Sequence, residues 1–217
     1  MADDGGASEG TSPLILRVMP TTSEGEPMRT LTNTVVSLVL VVGGSAALPR
    51  RDSSPHATPA DNQELKRLFD ADQADRAPEA IDWTVVGPRD RARLNRVKDL
   101  YARDGLHTAN DYYHAAMILQ HGEARDDFLL AHEFCVVAIT KGRNGSDTRW
   151  LAAAAEDRFL MNIGRPQRFA TQFRSEGAGP MRLYPVDASV TDELRRLMDA
   201  PPLKEAKARE AELNKKR

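Results

Sequence analysis

Between residues 109 and 163, three helix-length, apolar-rich segments follow one another with almost no chain between them. They run from about 109 to 121, 126 to 141 and 148 to 163. The breaks are Gly122 and the stretch "GRNGSD" at 142–147, where Asn-Gly is a strong turn signal. The middle segment carries Phe128, Leu129, Phe134, Val136, Val137 and Ile139, is apolar nearly all round, and reads as a central buried helix. Two further helices precede this trio. "DNQELKRLFDADQADR" (61–76) places Leu65, Leu68, Phe69 and Ala71 on one side, with Asp61 as its cap. Residues 89–103 form a charged helix with Leu94, Val97, Leu100 and Tyr101 as its stripe, ended by Gly105. The connector "APEAIDWTVVGP" reads as non-helical, with a short extended piece at Trp83–Val86. The fold class is therefore all-α or nearly so: a compact bundle of about five helices, with an irregular segment after the last core helix. That irregular segment runs from Gln167 to Pro185, marked by Gly177, Gly179, Pro180 and Pro185. A short helix at 191–199 and a solvated, frayed charged tail, "PPLKEAKAREAELNKKR", complete the chain.

A chain of 217 residues has room for one such domain with tails. The helical domain is expected at 61–175, and the irregular segment with the terminal helix at 176–217. Net charge is -2 with acids and bases interspersed, so the basic stripe of a nucleic-acid binder is missing. The single cysteine, Cys135, excludes an internal disulfide and reads as an inert buried thiol in "FCVVAI". No phosphate loop, dinucleotide fingerprint or calcium loop is present, so no cofactor is expected.

The N-terminal region has its own pattern. Residues 1–27 are acidic and rich in Gly, Ser and Thr, and read as a disordered or over-extended leader. From Met28, "MRTLTNTVVSLVLVVGGSAALP" has the order of a secretory signal: Arg29, an apolar core at Val35–Val42, then Ser45-Ala46-Ala47. The expectation is a signal peptide at 28–47, a Pro/Ser linker at 48–60 holding His56, and an extracytoplasmic domain. A signal anchor, or a buried strand "VVSLVLVV", are the alternatives. The apolar run is short for a membrane span, which needs about 20 residues.

The helix at 148–163 contains charges where apolar residues are expected. At 100° per residue, Glu156 points among Ala152, Phe159, Leu160 and Ile163, and Asp157 among Trp150, Ala154 and Met161. Arg158 and Asn162 fall on the more polar arc. A carboxylate in apolar surroundings is costly unless it is paired or hydrogen-bonded. The groups that can answer it are Gln120 and His121, His132 and Glu133, and Arg165, Gln167, Arg168, Thr171 and Gln172.

The pattern "ILQH" (118–121), "DR" (157–158) and "GRPQRFATQ" (164–172) resembles a bacterial domain-of-unknown-function family whose members read Q-H, then D-R, then G-x-x-Q-x-Y-G-T-Q. The match spans roughly residues 90–173. The resemblance implies a mainly helical domain and one site built from Gln120, His121, Asp157, Arg158, Gln167, Thr171 and Gln172. It implies no reaction. Phe169 stands where the family has Tyr, removing a phenolic hydroxyl. Ala170 stands where it has Gly, so a backbone that needs positive φ would be strained.

Two functions are open. In the enzymatic one, a hydrolase or transferase acts on a polar substrate. His121 is general acid or base, Asp157 orients it, and Arg158 binds an anionic or carbonyl group. Gln120, Gln167, Thr171 and Gln172 position the substrate. No G-x-S-x-G elbow supplies a nucleophile. In the other, a non-catalytic protein binds a polar small molecule or peptide, and the cluster is a structural network. A metal site from His114, His121, His132 and Asp157 or Glu156 is not expected. His114 and His121 lie two turns apart, about 10 Å along the axis, and no ligand signature is present. His107 reads as a loop or helix-start residue.

Overall fold

The structure, a computed structural model, describes residues 59–78 and 80–215. The leader, the signal and nearly all of the linker read from the sequence lie outside those residues. Among the described residues there are seven helices and one two-stranded ribbon: α1 (Gln63–Arg76), α2 (Trp83–Ala102), α3 (Ala109–Leu119), α4 (Arg125–Thr140), α5 (Ser146–Asn162), β1 (Phe173–Arg174), β2 (Arg182–Leu183), α6 (Asp192–Leu197) and α7 (Leu203–Lys215). The first five make the bundle. No helix among the described residues is long and apolar enough to cross a membrane.

The starts of the helices are set by polar caps. Asn62 accepts from the amides of Glu64 and Leu65 and opens α1, so Asp61 is not the cap. Asp61 instead accepts from Thr108 Oγ1 at 2.6 Å and Asn110 Nδ2 at 2.9 Å, tying the chain to the start of α3. Thr108 and Asp111 form a reciprocal capping box on α3. Asp111 also accepts from the amide of Asn62 at 2.7 Å. The helix expected from residue 89 begins six residues earlier, because Asp82 caps Thr84 and absorbs Trp83–Val86 into the first turn. Pro88 lies inside α2. Its ring removes the bond to the carbonyl four residues back but does not stop a helix already capped.

α4 packs between α3 and α5, and small residues allow the approach. Ala131, Cys135 and Ala138 of α4 and Ala152 and Ala155 of α5 are all essentially inaccessible and belong to one core with Leu65, Val97, Ile118, Leu119 and Leu151. α4 is not buried all round, as its composition suggests: Leu129 and Val136 are exposed on its outer side. Cys135 is sealed, and burial raises its thiol well above the ordinary range. Gly122, between α3 and α4, is required for space, since a Cβ there would meet Asp127 Oδ2 at 2.6 Å.

After α5 the chain is irregular as expected, but it is not loose. β1 and β2 pair antiparallel, with Phe173 opposite Leu183 and Arg174 opposite Arg182. Gln167 bridges to Val186. The terminal helix does not behave as a frayed tail. Asn214 of α7 exchanges hydrogen bonds with the Met181 backbone, and Glu210 accepts from the Leu183 amide at 2.8 Å and from Arg182. Ala200 and Met198 reach back to Ala153 and Phe169, so the C-terminal part packs onto α5.

Candidate functional site

Two polar networks are buried at the ends of these helices. The first surrounds Asp157, which is inaccessible to solvent. The sequence demands a partner for this carboxylate, and the main chain supplies it. Asp157 Oδ1 accepts from the amides of Arg168 at 2.6 Å and Phe169 at 2.9 Å; Oδ2 accepts from the amide and hydroxyl of Thr171 at 3.1 and 2.8 Å. Burial pushes its carboxyl up, against the pull of these donors. Ala170, inside the loop so held, has φ +61°, the left-handed conformation anticipated from the glycine in the pattern. Gln167 and Gln172 close the loop: Gln167 Nε2 donates to the carbonyls of Gln172 and Tyr184, and the Gln172 amide donates to Gln167 Oε1. Gln172 Nε2 donates to Thr171 Oγ1 at 2.9 Å. Glu156 is answered separately, by Arg168 Nε at 3.3 Å.

The second network lies where α1 and α2 meet the end of α3. At its centre is Asp72, also inaccessible. Asp72 Oδ1 accepts from Arg76 Nη1 at 2.8 Å and faces His121 Nδ1 at 3.0 Å; Oδ2 accepts from Gln73 Nε2 at 2.9 Å. Arg76 continues to Asp90 at 2.7 Å, and Arg93 joins Asp90 at 2.6 Å and Asp75 at 2.8 Å. Burial alone would raise the Asp72 carboxyl, but His121, Arg76 and Arg93 together hold it below the ordinary value. Burial lowers His121, against the attraction of Asp72 and with help from the Arg76 and Arg158 charges. An ionised Asp72 beside a neutral imidazole fixes the tautomer. Nδ1 carries the hydrogen and donates to Asp72, so Nε2 presents a lone pair.

Arg158 joins the two networks. It was placed on the polar arc of its helix from the sequence, yet it is only 8% exposed. Its Nη1 donates to the carbonyl of Gln120 at 2.6 Å, and its Nε to Gln172 Oε1 at 3.2 Å. Its Cζ lies 5.7 Å from the centre of the Phe128 ring. Among the described residues it has no carboxylate partner. Burial, with Arg76 adding repulsion, lowers its pKa to about 9, so it remains charged at neutral pH. Three buried polar atoms of this neighbourhood have no hydrogen-bond partner among the described residues: Arg158 Nη2, His121 Nε2 and Gln120 Oε1.

The structure therefore regroups the seven predicted residues. Asp157, Gln167, Thr171 and Gln172 spend their polar atoms largely on one another and on backbone. Gln120, His121 and Arg158 keep atoms in reserve. The carboxylate that meets His121 is Asp72, not Asp157. Asp72 escapes sequence reasoning because the polar side of α1 reads as a solvated face. The available signal was the spacing: Asp72 and Arg76, then Asp90 and Arg93, are i,i+4 and i,i+3 pairs on two successive helices.

His114, His121 and His132 do not come together as a metal centre. His114 stacks on Phe69 with ring centres 4.3 Å apart, and His132 Nδ1 faces the Ala152 carbonyl at 3.0 Å. Asp72, Asp90 and His121 offer ligand atoms within 4.8 Å of one another. The Arg76 guanidinium already bridges the two carboxylates, so a cation would have to displace a cation. A groove of about 590 Å³ between β2, the 184–188 strand-like segment and α7 contains none of the seven residues. No known protein family, curated protein or solved structure matches the chain.

Proposed function

We propose that the protein binds a small polar ligand through an anionic group at Arg158, with His121 placed to exchange a proton with it. The observation that carries this reading is a buried guanidinium with no carboxylate partner among the described residues. An unpaired buried charge is unfavourable by several kcal/mol in general. A site that retains one is suited to a ligand that brings the opposite charge. Arg158 Nη2 is the free donor, and His121 Nε2 and Gln120 Oε1 are free acceptors. Asp72 is the positioning carboxylate for His121, the role expected of Asp157 from its place in the helix. Asp157, Gln167, Thr171 and Gln172 act as the frame that holds the end of α5. Their saturated hydrogen bonding favours a structural role for those four. A hydrolytic or transfer reaction fits the same arrangement, with water or a ligand hydroxyl giving its proton to His121. The export signal read at 28–47 would place this chemistry outside the cytoplasm, and the likeness to the helical family of undefined activity groups the same residues.

The test is thermal melting of the full chain with phosphate, sulfate, small carboxylates and sugar acids. Saturation at a hundredfold over Kd stabilises by about 2.7 kcal/mol, a rise of several degrees. Wild type should shift with at least one oxyanion. Arg158→Gln, checked for folding by circular dichroism, should lose that shift. A wild type that no oxyanion stabilises would remove the basis for the reading.

A further inference from the structure

Most buried arginines sit opposite a carboxylate; Arg158 has none among the described residues, and the carboxylate at the centre of the adjoining network is already satisfied. Asp72 belongs to Arg76, Gln73 and His121, so it does not neutralise Arg158. We propose that the Arg158 site takes up a small oxyanion together with one proton, which stays on His121 Nε2 and forms a hydrogen bond from there to the bound anion. This rests on the reading of Arg158 as an anion anchor.

The geometry supplies each part. His121 Nδ1 is committed to Asp72 at 3.0 Å, so Nε2, buried and unpartnered, is the atom left to receive a proton. Arg158 Nη1 is fixed by the carbonyl of Gln120, the residue before His121, which keeps guanidinium and imidazole in one neighbourhood. The charges facing the imidazole come from every packed element. From α1 they are Asp72 and Arg76, and from α2 Arg93 and Asp90, both tied into the same chain of ion pairs. From α5 it is Arg158. The α4 carboxylate that packs beside the neighbouring Gly122, Asp127, is itself paired with Lys98. Burial is the main reason the ring resists becoming an imidazolium, and repulsion from Arg76 and Arg158 adds to it against the attraction of Asp72. An oxyanion beside Arg158 cancels that repulsion and offers an acceptor to Nε2–H, which reverses the preference. The proton comes from solvent, and no bond of the anion is broken. Gln120 Oε1 remains an acceptor, so a hydroxyl or N–H next to the oxyanion adds affinity without being required for binding. The chemical class is thus a small oxyanion, held best as a phosphate or carboxylate bearing such a donor.

The experiment uses sulfate on the full chain, because sulfate itself does not titrate near neutral pH. Calorimetric titrations run from about pH 5 to about pH 8, where an imidazole changes charge, in two buffers of different ionisation enthalpy. Wild type should take up close to one proton per sulfate within part of that window. Its affinity should fall there as pH rises, by up to about tenfold per pH unit. H121N should bind more weakly, with uptake near zero and a flat pH profile. Should H121N fail to fold, the ring-carbon shifts of His121 in wild type, with and without sulfate, carry the same decision by NMR. Binding of equal strength across the window without proton uptake would overturn the proposal and leave the anion anchor standing. No sulfate binding at any pH would overturn both.

Discussion

Two histidines with lowered pKa values contribute to how the free protein responds to mild acid. His121 and, to a lesser burial, His114 are both pushed below the ordinary imidazole value, with burial the leading cause in each. Their unfolded forms bind a proton near pH 6.5 while the folded forms resist it. The unfolded state then holds more protons, so folded-state stability rises with pH and is lost as pH falls through about 6.5. The slope is at most about 1.4 kcal/mol per pH unit for each histidine. Urea unfolding at several pH values should show this loss in wild type. It should be shallower in His121→Asn and His114→Asn and flattest in the double variant. An unchanged slope in all three would mean that neither histidine is held neutral. The residue scale is also where sequence reading succeeded least evenly. Asp157 needs a partner on sequence grounds alone, because an acid that shares one side of a helix with Trp150, Ala154 and Met161 has to be answered. That the answer is three amides and a hydroxyl follows from the path of residues 168–171, which no periodicity encodes.

At the scale of elements, the five bundle helices were legible because each has a 3.6-residue apolar stripe and a cap or glycine at its end. The start of α2 was not, because Pro88 reads as a break and "WTVV" is β-prone. The Asp82 cap, which accepts from both the amide and hydroxyl of Thr84, outweighs that local preference. α7 was misread for a different reason. Its apolar stripe is weak, and what docks it is polar: Asn214 and Glu210 satisfy backbone groups at Met181 and Leu183. A two-residue ribbon is not stable by itself, so α7 supplies the partner that orders it. Replacing Glu210 and Asn214 together by Ala should lower amide-exchange protection at Met181 and Leu183 by roughly tenfold or more, while amides of α3 to α5 keep theirs. Equal loss throughout would show that α7 supports the whole fold instead of the ribbon.

At the scale of the molecule, α5 is the shared wall. Ala152 and Ala155 of its alanine run join the core with α4, and further along it sends Asp157 to the irregular segment and Arg158 to the end of α3. The close approach of α4 and α5 depends on Ala152 and Ala155 meeting Ala131, Cys135 and Ala138. Ala155→Leu should therefore destabilise the whole domain by about 1–3 kcal/mol, by forcing the helices apart. Denaturant unfolding followed by circular dichroism measures it. A neutral result would mean that the interface has slack the buried areas do not suggest.

The Asp157 loop has a consequence for how new specificities could arise on this scaffold. Its shape is dictated from α5, by a carboxylate that grips main-chain N–H groups of residues 168, 169 and 171. Amides are common to every residue except proline, so the template does not care which side chains it displays. At position 168, half-exposed and contributing ion pairs with Glu156 and Asp187 beyond its amide, many side chains can be exchanged without redrawing the loop. The protein carries, next to its buried cation, a display position whose backbone is written elsewhere.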